Sequence, residues 1–129
     1  RRQRQMCIRD RMFTVKADGK VGIKTNDPQN ELDVNGTIRA KEIKVESNWA
    51  DFVFKKGYKL PTLEEVEQHI NKNGTLPGIP SEDEVKANGV NLGEVNALLL
   101  QKIEELTLYA IKQQELIEKM QVDIDKLKK

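Results

Sequence analysis

Near its C-terminal end the chain repeats apolar residues every three and four positions over about five heptads. With Ile103 as position a, the a positions are Asn96, Ile103, Ala110, Ile117 and Ile124. The d positions are Leu92, Leu99, Leu106, Gln113, Met120 and Leu127. A repeat sustained this far predicts a coiled coil rather than an ordinary amphipathic helix. The residues before it number about 90, with three Phe, two Tyr and one Trp in the whole chain. So few large side chains build a small core and cannot also cover a helix of that length. The stripe is expected to meet copies of itself. The residues expected to carry this contact are Leu92, Leu99, Ile103, Leu106, Ala110, Ile117, Met120, Ile124 and Leu127.

Composition narrows the function classes. The chain has 129 residues, 33% charged and 37% hydrophobic, and no apolar run long enough to span a bilayer. A single cysteine, Cys7, excludes an intrachain disulfide framework. The net charge of +1 hides an asymmetry: Arg1, Arg2, Arg4, Arg9 and Arg11 lie in the first eleven residues with one acid, Asp10. From Met12 onward there are 17 basic and 20 acidic residues, a net of −3. An arginine-rich arm is one signature of nucleic-acid binding. The run from Arg2 to Arg11, however, resembles translated sequencing adapter. Residues 1–11 are therefore expected to stand outside the fold, and a chain that begins with Arg is expected to be a fragment. A leucine-zipper transcription factor needs a basic region running straight into its heptads. Here Glu82, Asp83 and Glu84 precede Leu92, so no nucleic-acid partner is expected.

Four segments follow: 1–11, a β-rich repeat at 12–46, a helical collar at 47–90, and the coiled-coil helix at 91–129. In the second, Val15–Ile23 lies over Leu32–Ala40 with an offset of 17 residues, from Gly19 to Gly36 and from Val21 to Ile38. Each copy reads as strand, turn, strand. The turns Asp18-Gly19 and Asn35-Gly36 predict two type I′ hairpins, whose central residues take positive φ. Two such hairpins do not form a stable sheet alone, so pairing between chains is expected. Gly19 and Gly22 lack the third glycine and the helix of a phosphate-binding loop.

In the collar, Thr62 with Glu65 and Ser81 with Glu84 are capping boxes, and Asn91 with Glu94 is a close variant. Helices are predicted from Thr62 to about Asn73, closed by Gly74, from Ser81 to Ala87, and from Asn91 onward. Two prolines in Leu76-Pro77-Gly78-Ile79-Pro80 exclude helix there. Trp49, Phe52, Phe54, Tyr58 and Leu60 are the expected apolar anchors, set against a neighbouring chain or the base of the stalk. The fold class is thus α+β, with short β-hairpin repeats, a small helical collar and one long coiled-coil helix.

No catalytic, cofactor-binding or metal site is expected. His69, the only histidine, has no Cys or His at ligand spacing and reads as a solvated surface residue. The acids Glu64, Glu65, Glu67, Glu82, Asp83 and Glu84 fall in first helical turns, where they complement the helix dipole. Glu104, Glu105, Glu115 and Glu118 alternate with Lys102, Lys112 and Lys119 as a solvated face.

Val21-Gly22-Ile23-Lys24-Thr25-Asn26-Asp27-Pro28 followed by Leu32-Asp33-Val34-Asn35-Gly36-Thr37-Ile38-Arg39-Ala40 resembles the "VGIGTxxP…LDVNGxIxA" repeat of tail-fibre-like proteins. These occur in bacteriophage fibres and in large bacterial surface proteins. Trp49–Phe54, Tyr58–Pro61, Leu76–Ser81 and Gly89–Glu94 leading into Leu99–Thr107 are similar to the C-terminal segment of the same group. Lys24 stands where the repeat has glycine, which weakens the expectation of a tight turn. The resemblance implies a fibrous homotrimer, a virion tail-fibre or cell-surface location, and a structural role. It also implies a host-surface or glycan receptor for other parts of the fibre. Ile at a with Leu at d favours dimers instead. Leu100, Tyr109 and Leu116 widen the seam at e and g, which suits three strands. Two competing readings remain. One is an adhesin whose collar binds a ligand. The other is a self-cleaving chaperone in which Ser47 reacts, with Lys55 or Lys56 as its base.

Overall fold

The structure is a computed structural model that describes residues 12–47, 49 and 51–129. The expectation for residues 1–11 lies outside this set. The chain divides into two compact units at Lys44 and Val45.

The first unit holds a three-stranded sheet. β1 (Phe13–Val15) and β2 (Val21–Ile23) pair antiparallel, Phe13 facing Ile23 and Val15 facing Val21. The turn between them departs from the type I′ expectation. Gly19 has φ 91° while Asp18 keeps negative φ, and the Gly19 N–H donates to the Lys16 carbonyl. The Asp18 carboxylate accepts from the Lys20 N–H at 3.1 Å. This is the longer hairpin loop in which a glycine in the left-handed region follows an ordinary turn.

β3 (Leu32–Val34) corrects the repeat. It pairs parallel with β2, each residue of β2 facing the one eleven places further on: Val21 and Leu32, Gly22 and Asp33, Ile23 and Val34. Neither Asn35 nor Gly36 has positive φ, and residues 37–40 form no strand. Among the described residues no second hairpin forms. The local Asn-Gly preference loses to a loop that returns the chain beside β2. Parallel neighbours usually need a connection of a dozen or more residues. Strands of three residues extend only about 10 Å, so a shorter return suffices.

That return loop is specified by its side chains. Pro28 is fully buried, and the loop folds over Gly22 so closely that a Cβ there would lie 2.4 Å from the Thr25 carbonyl oxygen. The Asp33 carboxylate accepts from the Gln29 N–H at 2.7 Å and from the Asn30 side-chain amide at 2.9 Å. These bonds hold its carboxyl below the usual carboxylate range. Lys24 opens the loop at φ 59°. The left-handed conformation that glycine favours is present although the glycine is not. A side chain in the left-handed region costs about 1 kcal/mol that glycine avoids. Lys24→Gly is therefore expected to stabilise this unit by about that amount, less glycine's own loss of backbone freedom. Slower amide exchange at Val21 and Ile23 would register the gain.

The second unit, Val45–Lys129, contains three helices: α1 (Leu63–Asn73), α2 (Glu82–Asn88) and α3 (Leu92–Lys128). Both capping boxes form their backbone bonds. The Thr62 hydroxyl accepts from the Glu65 N–H at 3.1 Å, and the Ser81 hydroxyl from the Glu84 N–H at 3.2 Å. Gly74 closes α1 at φ 72°, its N–H donating to the Ile70 carbonyl. Asn91 precedes α3 with extended backbone but makes no side-chain cap bond. Among the described residues of this unit, Val53 is the only buried apolar side chain, at 4% exposure. Trp49, Phe52 and Phe54 remain exposed, while Tyr58 and Leu60 are half-buried.

Candidate assembly interface

The seam of α3 lies open. Every expected contact residue is exposed: Leu92, Leu99, Ile103, Leu106, Ala110, Ile117, Met120, Ile124 and Leu127. Leu106 reaches 66% and Leu127 87%. From Ala110 to Lys129 every residue of the chain is exposed. A helical segment of about 20 residues is some 30 Å long. Isolated helices near that length are marginal in water and draw their stability from packing on one face.

The collar packs elsewhere on the helix. Its contacts gather at Leu98 and Glu105 in position c, Glu104 in b, Leu108 in f, and Lys102 and Tyr109 in g, all half-buried or buried. This overturns the expectation of a solvated face at Glu104 and Glu105, which are 8% and 5% exposed. Tyr58 of the collar reaches Glu105 there, and Gln101 and Lys102 of α3 itself complete its partners. The Tyr58 hydroxyl donates to Glu105 Oε1 at 2.7 Å, the Gln101 amide donates to the same oxygen at 3.1 Å, and Lys102 Nζ lies 3.4 Å from Oε2. Tyr58 in turn packs on Phe52, their ring centroids 5.5 Å apart. Tyr109 is likewise drawn out of the expected seam, because its hydroxyl donates to the Pro61 carbonyl. Gly93, in position e, is buried. A Cβ there would meet Ser47 and Val45 at 2.7–3.0 Å, so the chain leading into the collar lies on the first turn of α3. One polar atom is left over: Glu104 Oε2 is buried without a hydrogen-bond partner among the described residues.

Glu105 and Tyr58 respond to pH in opposite directions. Burial opposes ionisation of Glu105, but the bonds from Tyr58 and Gln101 and the Lys102 charge outweigh it and hold the carboxyl below its ordinary value. Its contribution is complete above the ordinary Glu value of about 4.3 and fades as pH falls through the lower folded value. Burial, then the adjacent Glu105, pushes the Tyr58 phenol up. That contribution is complete below about pH 10 and is lost as pH rises through the folded value. Thermal melts monitored by circular dichroism are expected to show an acid-side decline between about pH 5 and 2 that Glu105→Gln flattens.

The remaining sequence candidates are not brought together. The Ser47 hydroxyl packs against Gly93, Lys55 and Lys56 are exposed, and no hydrogen bond joins Ser47 to a lysine among the described residues. His69 is half-buried rather than solvated, and its Nδ1 donates to the Thr75 carbonyl at 2.9 Å, holding the chain after α1. Among the described residues no three His, Cys, Asp or Glu side chains gather as a metal site, and no helix is long and apolar enough to cross a membrane. Gln113 and Asn96, the polar members of the seam, are exposed with it.

No protein-family model, no curated protein and no solved structure matches this chain.

Proposed function

We propose that the chain is the trimerising and fold-nucleating region of a tail-fibre-like or cell-surface fibre protein, with a structural rather than an enzymatic role. The observation that carries this reading is the open a/d stripe, left uncovered where the collar occupies other faces of α3 between Leu98 and Tyr109 and continuing exposed beyond it. The covered positions are mainly b, c, f and g, with Gly93 and Leu100 at e, and the a/d edge of α3 is left to another chain. Apolar surface of that extent on a folded unit marks an interaction site. The repeat of a and d residues identifies the partner as another helix of the same kind. The number three rests on the sequence resemblance, which also suggests the virion or cell-surface setting.

The mechanism is mechanical. Helices associate locally and fix the register of the chains. Short strands, whose pairing is costly to start from distant residues, then form in chains already held together. The outer side of β3 and segment 37–40, which forms no strand, are the parts such pairing would use.

Light scattering on the size-exclusion peak tests this directly. The expected mass is three times the chain mass of 14.8 kDa. A stable, cooperatively folded single chain at micromolar concentration would sink the reading. Truncation after Asn91 is expected to abolish the assembled species and leave soluble single chains or aggregates. A discrete trimer from the truncated chain would place the assembly surface elsewhere.

A further inference from the structure

We infer that the collar is itself part of the contact between copies: α1 forms a clamp that grips the neighbouring copy's α3 along its e edge, with the chains parallel and in register. This rests on the proposed assembly through α3 and goes beyond it, since a heptad seam needs no collar.

An apolar groove of about 360 Å³ runs between the collar and the seam. Leu63 and Val66 of α1 and Leu76 form one wall, and Leu99, Ile103 and Leu106 form the other. The second wall consists of a and d residues, so whatever fills the groove also covers the seam. Lys102 and Tyr109, both at g, line it as well, which places the groove on the g side of the helix. A second hollow, bounded by Leu63, Tyr109 and Leu116, continues along the same side.

In a parallel coiled coil the g edge of one helix faces the e edge of the next. The e edge of α3 suits an apolar groove: Leu100, Thr107, Gln114 and Gln121 carry no charge. The first ionised residue on it is Lys128, far beyond the collar. The b, c and f edges each carry several charges that such a groove would strip of water. Charge also selects the orientation. Asp123 at g and Lys128 at e lie five residues apart, the spacing at which the two edges of parallel, in-register neighbours meet as an ion pair. An antiparallel arrangement would instead set g against g and e against e. The occupant is therefore a second copy, and each copy both offers a groove and fills one. Contacts of that heterologous type close into a ring when the rotation between copies closes, as three parallel helices about one axis require.

Disulfide trapping between differently substituted full-length chains tests the clamp, in a Cys7→Ser background. Leu63→Cys chains are co-refolded with Thr107→Cys chains, so that only an interchain bond can join the two. A groove that holds Thr107 beside Leu63 is expected to raise the crosslinked yield about a hundredfold over a mixture with Glu115→Cys on the f edge, through effective concentration. A parallel mixture of Asp123→Cys and Lys128→Cys chains reports the seam independently of the collar. If this second pair crosslinks and the first does not exceed its control, the clamp is overturned while assembly through α3 stands. If neither pair crosslinks, the parallel seam and the clamp both fall.

Discussion

Chains carrying Ile117→Asp and Ile124→Asp together are expected to run as single molecules at concentrations where the unaltered chain is assembled. Both side chains are more than two-fifths exposed, as is the helix around them. In a lone molecule the substitutions would therefore cost little. In a seam each removes a buried apolar side chain and inserts a charge. Losing the apolar group alone is worth about 3 kcal/mol. A penalty of about 1.4 kcal/mol is a tenfold change in the dissociation constant. Two sites, repeated in every chain, shift the equilibrium by many orders of magnitude. Sedimentation velocity across a dilution series would measure it, and circular dichroism would show the helix signal of residues 110–129 falling in parallel. Unchanged sedimentation would mean that these residues never meet another chain.

The second large effect belongs to the strand unit. Gly22→Ala is expected to unfold it. The added methyl would lie 2.4 Å from the Thr25 carbonyl oxygen and 2.9 Å from the Thr25 methyl. The nearer atom is backbone, so no rotamer change relieves the contact. Overpacking of this kind costs about 1–3 kcal/mol, here in a sheet of three-residue strands with little stability to lose. Amide exchange at Ile23 and Val34 should collapse toward that of an unfolded chain, while the melt of the helical unit stays where it was.

Different parts of this fold were legible to different degrees. Thr62, Ser81 and Gly74 announced helix ends correctly, because caps are local chemistry that a sequence states in full. The long helix α3 was legible for a related reason, since its apolar period runs unbroken from Leu92. The partner of β3 was not. Asn35-Gly36 is a sound hairpin signal, but Asp33 and Pro28 organise a loop whose bonds span several residues and bring β3 back beside β2. Glu104 and Glu105 misled in another way. As charged b and c residues they fit a solvated face, and the covering of Glu105 involves Tyr58, 47 residues away. A signal was available in Leu98 and Leu108, apolar residues off the seam that mark a second face in need of cover. The same oversight placed Tyr109 in the seam, when its hydroxyl had a carbonyl to reach in the collar.

The bare stretch of α3 beyond the collar also bears on the fate of a chain that fails to find its companions. Unsupported helix of that length frays in water, and frayed backbone is the form that proteases cut. Under the proposed assembly, copies left out of a complex would be trimmed first from this end, losing the surface by which they could join it out of register. Limited digestion at increasing protein concentration would reveal such self-limiting behaviour as a protection that sets in together with association.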